Sequence, residues 1–170
     1  MPNRDSPFRS VDDQALQLLR ELLTGLRACV LATGDGDGPY AAMVSFALEA
    51  DGALLVPLSD LSAHKRHLLT DPRAAMLLSR PDDGRTEILQ HPRLVLRCAA
   101  DALAKDAPAF AAGRDRYLAR HPGHAMLFGL PDFDLFRLAP RAGLLNAGFG
   151  RAYAVTPADL TAALRHHEQS

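Results

Sequence analysis

The chain has 170 residues, of which 48% are hydrophobic and 23% charged, and its formal net charge is −1. This length and apolar fraction suit a single folded domain over 1–170 and exclude a disordered chain. The charge excludes the broad basic field of many nucleic-acid-binding proteins, and no uncharged apolar run is long enough to span a membrane. The first ten residues lack the apolar region of a secretory signal, so we expect a cytoplasmic protein that binds neither nucleic acid nor membrane.

The amino-terminal part predicts a helix followed by a series of hairpin-linked strands. Ser10 and Asp13 have the spacing of a capping box, and apolar residues then recur at helical intervals, which predicts a helix over about 11–25 after frayed residues 1–9. Glycine-rich turns at 34–38 and 50–52 separate three apolar runs. The predicted strands cover 28–33, 40–48 and 53–58.

The remainder predicts further strands and peripheral helices. Helices are predicted at about 61–70, 106–120 and 157–166, with a polar loop at 81–92. The predicted strands cover 74–80, 94–102, 133–138 and 143–153. About seven strands, mostly linked by hairpins, predict a mainly β (α+β) fold in which an antiparallel barrel over about 27–153 carries peripheral helices. Cys29 and Cys98 lie in strand-like runs and are predicted to be buried free thiols.

One stretch has the composition of a phosphate-binding site. The apolar run 54–58 ends at Ser59, and Ser62 and Lys65 lie at the start of the helix that follows. The free N–H groups of a helix N-terminus favour an anion, and hydroxyls and a lysine add donors and positive charge. The alternative is an ordinary surface helix that these residues cap and solubilise, with Arg66 either joining the site or facing solvent.

Three segments of the chain resemble a known family. The first is the run ATGDGDGPYAAMVSF at 32–46, and the second is LSDLSAHKRHLLTDPR at 58–73. The third combines YLARHP at 117–122, FRL at 136–138 and GFGRA at 148–152. In their order and spacing they resemble the FMN-binding split-barrel proteins related to pyridoxamine 5'-phosphate oxidase, and most closely the haem-utilisation, HugZ-like branch.

The resemblance implies a homodimer with two FMN sites at the subunit interface, and an FMN-dependent oxidoreductase of unknown substrate. It places the flavin ring against the strand at 41–45 and the phosphate at the end of the next strand and the start of its helix. His64 stands where the oxidases have an arginine, and Arg97 is expected to cross the dimer interface by analogy of fold. The implied cofactor-binding residues are Ala42, Met43, Val44, Ser59, Ser62, His64, Lys65, Arg97 and Arg151. No catalytic residue is predicted.

Haem is the alternative cofactor, because in haem-degrading relatives a histidine near the C-terminus can ligate the iron. His166 and His167 offer such ligands, and Arg151 offers a cation for an anionic group such as a haem propionate. The alternative for the two histidines is that the C-terminal tail is a solvated end. The alternative for Arg151 is that it is a partly exposed residue paired with a carboxylate. The pairs His64–His67 and His121–His124 are expected to be surface histidines, since no further ligand completes a metal site. A non-enzymatic cofactor-binding module is the third possibility.

Overall fold

The structure is a computed structural model, and it describes residues 7–34 and 36–165. Its strands are β1 (Arg9–Ser10), β2 (Ala28–Gly34), β3 (Pro39–Ser45), β4 (Ala47–Leu48), β5 (Leu54–Ser59), β6 (Arg73–Ser79), β7 (Arg93–Ala102), β8 (Phe133–Asn146) and β9 (Ala152–Val155). Its α-helices are α1 (Asp13–Gly25), α2 (Ala63–Thr70), α3 (Pro108–Arg120) and α4 (Pro157–Arg165), and short 3-10 helices lie at Ile88–Gln90 and Pro122–Gly129. No helix in the described residues is long and apolar enough to cross a membrane.

The strands form one sheet in the order β1-β9-β8-β7-β6-β2-β3, and β8 also pairs with β5, which pairs with β4. All pairs are antiparallel except the two-residue parallel pair of β1 and β9. The 14-residue strand β8 pairs with β5 at its start and with β9 at its end, so it joins both parts of the sheet. The fold is the predicted antiparallel split barrel with peripheral helices.

The prediction of two separate strands at 133–138 and 143–153 is wrong. The chain runs as a single strand through Pro140, which pairs with Cys98 at a register shift beside Arg97. A proline has no N–H to donate, and an irregular position in the ladder tolerates that loss. The strand ends instead at a turn in which Gly148 and Gly150 have φ of 112° and 70°, values that favour glycine.

The predicted start of the first helix is also wrong. Ser10 pairs with Ala154 of β9 and is therefore extended, so residues 9 and 10 are a strand rather than a frayed end. The capping residue is Asp12, whose carboxylate accepts a hydrogen bond of 2.8 Å from the backbone N–H of Ala15. A carboxylate at this position satisfies an N–H group that the helix leaves free.

The sheet has a buried inner face and a more exposed outer face. The inner face carries the core, and α1 adds its leucines to it; the fully buried members include Leu19, Leu22, Leu23, Leu31, Met76, Leu96 and Leu145. Cys29 and Cys98 are buried free thiols, as predicted, and burial raises the pKa of each to about 12, which makes both unreactive. On the outer face, α3 packs over β5 and the start of β8, where Gly113 lies against Leu55 and Leu135, whereas Met43 and Leu77 farther along that face are exposed.

Candidate functional site

Lys65 is almost fully buried, with 2% of its surface exposed, at the start of α2. Its Nζ lies 2.5 Å from Asp60 Oδ1 and 2.8 Å from Asp134 Oδ2, and it donates a 2.9 Å hydrogen bond to the carbonyl of Asp132. A lysine ammonium has three protons to donate. All three are directed at oxygen atoms of the chain itself, so this arrangement leaves no Lys65 donor for a phosphate.

The two serines of the predicted phosphate site also donate within the chain. Ser59 Oγ donates to Asp132 Oδ2 at 2.6 Å, and Ser62 Oγ donates to the carbonyl of Ser59 at 2.5 Å. We call Ser59, Asp60, Lys65, Asp132 and Asp134 the Lys65 cluster. It contains three carboxylates and one ammonium group, and Lys105, 3.4 Å from Asp134, adds a second ammonium beside it. The net charge is still negative, and this disfavours a phosphate. The residues therefore do not fit the FMN phosphate that the resemblance implied.

The carboxylates of this cluster are the part that the sequence did not predict. Burial opposes the ionisation of Asp134, but the ammonium groups of Lys65 and Lys105 outweigh it and lower the pKa of its carboxyl. Asp132 and Asp134 are far from Lys65 in sequence, and the pairing of β5 with β8 brings them beside it. The exposed Arg66 lies outside this cluster and donates only a long hydrogen bond, 3.4 Å, to the carbonyl of Asp60.

His64 and His67 are buried, so the prediction of surface histidines is wrong for this pair. The His64 ring stacks on Tyr40 of β3, with centroids 6.2 Å apart, and its Nδ1 has no hydrogen-bond partner in the described part of the chain. Burial lowers the pKa of His64, and nearby His67 lowers it further. His67 Nδ1 lies 3.0 Å from Thr33 Oγ1. These imidazoles fix α2 against β2 and β3, on the inner side of the sheet.

The residues predicted to contact a flavin ring lie on opposite faces of β3. Ala42 and Val44 face inward, opposite Leu31 and Cys29 of β2, and Val44 belongs to the core. Met43 faces outward and is 70% exposed. Only the Met43 side chain of the three therefore lies on the outer face, because successive residues of a strand point to opposite faces.

An apolar row crosses the outer face of the sheet. Met43 pairs with Val30, and the row continues in register across β6, β7 and β8. We call these residues the outer row: Met43, Val30, Leu77, Val95 and Leu144. Leu77, at its centre, is 37% exposed.

Arg97 lies beside the outer row, on the same face of β7. It is two residues from Val95, and its neighbours across the sheet are Ala75 on β6 and Ala142 on β8. The side chain is exposed, and no carboxylate of the described residues pairs with it. The structure thus presents an apolar surface with a guanidinium at its margin that has no carboxylate partner in the described residues.

Arg151 lies elsewhere, in the turn between β8 and β9. Its Nη2 donates a long hydrogen bond, 3.4 Å, to Gln14 Oε1 on α1, so it is neither part of the Lys65 cluster nor paired with a carboxylate in the described residues. His166 and His167, the haem-ligand candidates, lie outside the described residues.

A second buried polar group surrounds Tyr117, a residue that the sequence places only in the YLARHP segment at 117–122. Tyr117 is fully buried on α3, and its hydroxyl lies 2.6 Å from Ser45 Oγ and 2.8 Å from His124 Nδ1. We call Ser45, Tyr117 and His124 the Tyr117 chain. His121 is buried as well, and its Nε2–H donates to the carbonyl of Phe46 at 2.7 Å. Ser45 lies 72 residues from Tyr117, so the sequence carried no signal for that contact, whereas His124 is only seven residues from Tyr117.

Asp82, Asp83 and His91 place three potential metal ligands within 4.8 Å of one another in the loop 81–92. The backbone N–H of Gly84 donates to Asp82, and those of Arg85 and Thr86 donate to Asp83. These carboxylates therefore already serve to shape the loop.

Comparisons with known proteins identify a family and individual relatives that this chain resembles. The sequence profile of the family described as "Pyridoxamine 5'-phosphate oxidase" matches residues 15–146. The chain is 32% identical over 115 residues to "Non-canonical heme oxygenase HOZ, chloroplastic" of Arabidopsis thaliana, a match that covers 68% of this chain and 34% of the plant protein. It thus spans about a third of that relative's length.

Two bacterial relatives match most of the chain. "Heme oxygenase HutZ" of Vibrio cholerae is 27% identical over 147 residues, which cover 84% of this chain and 81% of that protein. A solved structure described as a heme binding protein from Mycobacterium smegmatis superposes with a TM-score of 0.79 at 25% identity, and covers 89% of this chain and 62% of that one. These haem-related relatives contradict the main hypothesis from sequence, an FMN-dependent oxidoreductase.

Replacing Lys65 by methionine is expected to lower the free energy of unfolding by about 2–3 kcal/mol, because Asp60 and Asp134 lose their common partner. Urea unfolding at pH 7.5 measures this change. The neighbouring Arg66→Met variant removes an exposed cation from the same helix and should stay within about 0.5 kcal/mol of the wild type. Equal stability of the two variants would contradict the role assigned to Lys65.

Stability is expected to fall on mild acidification. Burial lowers the pKa of His121 and of His64, so both stay neutral in the folded chain at a pH where unfolded histidines, with a pKa of about 6.5, take up protons. The unfolded state then binds more protons, and stability is full above about pH 7 and is lost as the pH falls through 6.5. Urea unfolding at pH 7.5 and 5.5 measures the loss, which should be smaller in His121→Gln. An identical loss in that variant would exclude His121 as a source.

Proposed function

We propose, because this chain belongs to the pyridoxamine 5'-phosphate oxidase family and to its haem-utilisation, HugZ-like branch, that it binds haem and degrades it oxidatively. The names of the relatives support this function. The observation in this chain that carries it is the outer row with Arg97 beside it.

The chemistry of haem matches this surface. Its macrocycle is flat and apolar, and it carries two carboxylates on one edge. Adjacent strands lie roughly 4.8 Å apart, so the outer row extends roughly 19 Å from β3 to β8. The macrocycle covers the exposed side chains of Met43 and Leu77, and removal of apolar surface from water stabilises such a complex. The guanidinium of Arg97 then pairs with a carboxylate, for which its planar fork is well suited.

The iron needs a ligand, and His166 and His167 are the proposed candidates because a neutral imidazole is a common axial ligand of haem. Bound haem supplies the iron at which dioxygen is reduced, with electrons from an external donor. The protein supplies the binding surface, the Arg97 guanidinium that pairs with a haem carboxylate, and protection from bulk water.

We propose that the protein is a homodimer that covers this face. Met43 is 70% exposed and Leu77 37%, and a contiguous apolar surface of this kind is typical of an interaction site. A second copy related by a two-fold axis removes both outer rows from water and encloses the haem.

Arg97→Ala is expected to weaken haem binding by about 1–3 kcal/mol, roughly 5- to 150-fold, because it removes the partner of a carboxylate. Titration followed by the Soret band measures the affinity, and Arg66→Ala, which removes an exposed cation on α2, serves as the control with unchanged affinity. A double His166→Ala and His167→Ala variant should shift the Soret band by removing the iron ligand. A wild-type Soret band that does not differ from that of free haem would overturn the proposed function.

Leu77→Glu is expected to convert the dimer into a monomer, because it introduces a charge at the centre of the outer row. Light scattering at micromolar protein should give twice the chain mass of 18.4 kDa for the wild type and the single mass for the variant. Leu69→Glu is the matched control, since Leu69 is an exposed leucine on α2 rather than on the sheet, and it should remain a dimer. A monomeric wild type would exclude the proposed interface.

A further inference from the structure

The Tyr117 chain ends beside the outer row. Ser45 follows Met43 by two residues on β3, so both lie on the outer face. In the ladder with β2, Ser45 is opposite Ala28, next to the pair of Met43 with Val30. The Ser45 hydroxyl therefore lies on the margin opposite to Arg97.

The outer row and its two flanking rows contain no group that can lose a proton readily. In the described residues they hold neither a carboxylate nor an imidazole, and the guanidinium groups of Arg93 and Arg97 do not release protons near neutral pH. Reduction of dioxygen consumes two protons for every oxygen atom that leaves as water. A haem bound on this face therefore needs protons from a residue outside these rows.

The Tyr117 chain has the geometry to deliver them. Its two contacts of 2.6 and 2.8 Å are hydrogen-bond distances, and each of the three groups can both donate and accept. Tyr117 is fully buried, whereas His124 is only partly buried and so can exchange protons with solvent. The chain thus connects solvent to the outer face through a phenol that water does not reach.

The surroundings hold this chain in one arrangement. The His121 ring stacks against both rings, with its centroid 4.6 Å from that of Tyr117 and 5.1 Å from that of His124, and the Tyr117 and His124 centroids lie 5.8 Å apart. His121 is fixed by Phe46, and Arg27 and Arg120 are the cations nearest to it. If Tyr117 served only for packing, a phenylalanine would fill the same space without a polar atom to bury.

We propose that Ser45, Tyr117 and His124 form a proton pathway from solvent to the haem-binding face, an inference that rests on the proposed function. His124 Nδ1–H passes its proton to the Tyr117 oxygen, as Tyr117 passes its own to Ser45 Oγ and Ser45 releases one to the acceptor on the face. His124 takes a replacement proton from solvent at Nε2. Each N–H or O–H bond that breaks is replaced by one that forms, so one proton crosses and no electron is transferred. The two hydroxyls then rotate back, and His124 returns from its Nε2–H to its Nδ1–H tautomer by proton exchange with solvent.

The decisive variant is Tyr117→Phe, which keeps the ring and removes the hydroxyl. Tyr153→Phe is the matched control, because Tyr153 is equally buried and its hydroxyl contacts Asp12 outside the pathway. Haem is titrated into each protein, and its degradation is then followed in air with ascorbate as the electron donor, in water and in deuterium oxide. Tyr117→Phe should bind haem with wild-type affinity but degrade it at least about tenfold more slowly, and its solvent isotope effect should differ from that of the wild type. Tyr153→Phe should match the wild type.

A measurement on the haem-free protein tests the chain independently. Nitrogen NMR of His124 reports the hydrogen bond at its Nδ1, and this signal should move in Ser45→Ala although Ser45 does not contact His124, because the two are coupled through Tyr117. An unchanged His124 signal in Ser45→Ala, or wild-type rates and isotope effects in Tyr117→Phe, would overturn the pathway. If the wild type binds no haem, the proposed function fails and the pathway with it, whatever the His124 signal shows.

Discussion

The continuous strand β8 is the constraint on which the rest of this structure depends. Its first residues pair with β5 and its last with β9, while β7 pairs along most of its length. Because one strand serves both parts of the sheet, the register at one end fixes the register at the other. With one register shift next to Pro140, this strand places Asp134 beside Lys65 at its start and Leu144 in the outer row at its end.

The Lys65 cluster shows how one family scaffold changes its ligand preference through electrostatics. A lysine at a helix start is an anion site only while its protons are free. Here Asp60 and Asp134 take those protons, and the carboxylates outnumber the cation, so the local field disfavours a phosphate. The same ion pairs bind α2 to the end of β8. A position that would hold a cofactor in a flavoprotein therefore serves stability in this chain.

The sequence predicts most of the elements and little of the site, and the reason is the range of the interactions involved. Helices and hairpins follow local periodicity and turn residues, so α2 and β5 to β7 lie close to their predicted bounds. Pro140 is misleading, because the strand tolerates it at a register shift, where the adjacent Arg141 has no partner on β7, and that shift is set by the pairing with β7. Asp132 lies 67 residues from Lys65, and Ser45 lies 72 residues from Tyr117, so only the folded topology pairs them. Strand periodicity alone would have separated Met43 from Ala42 and Val44, because alternate residues face opposite sides.

The polar and ionisable side chains have different roles on the two faces of the sheet. On the inner side and at the barrel ends, buried ionisable groups find partners within the chain, as Lys65 does, or are held neutral, as His64 and His121 are, and these arrangements favour stability. On the outer face the apolar residues are exposed and the nearest cation, Arg97, has no partner in the described chain. A surface that is costly to leave in water, flanked by an unpaired guanidinium on one margin and a hydroxyl on the other, is complementary to a flat apolar ligand with anionic substituents. The exposed apolar side chains of this face are unfavourable in water, and for the same reason they suit the binding of a ligand and of a second copy of the chain.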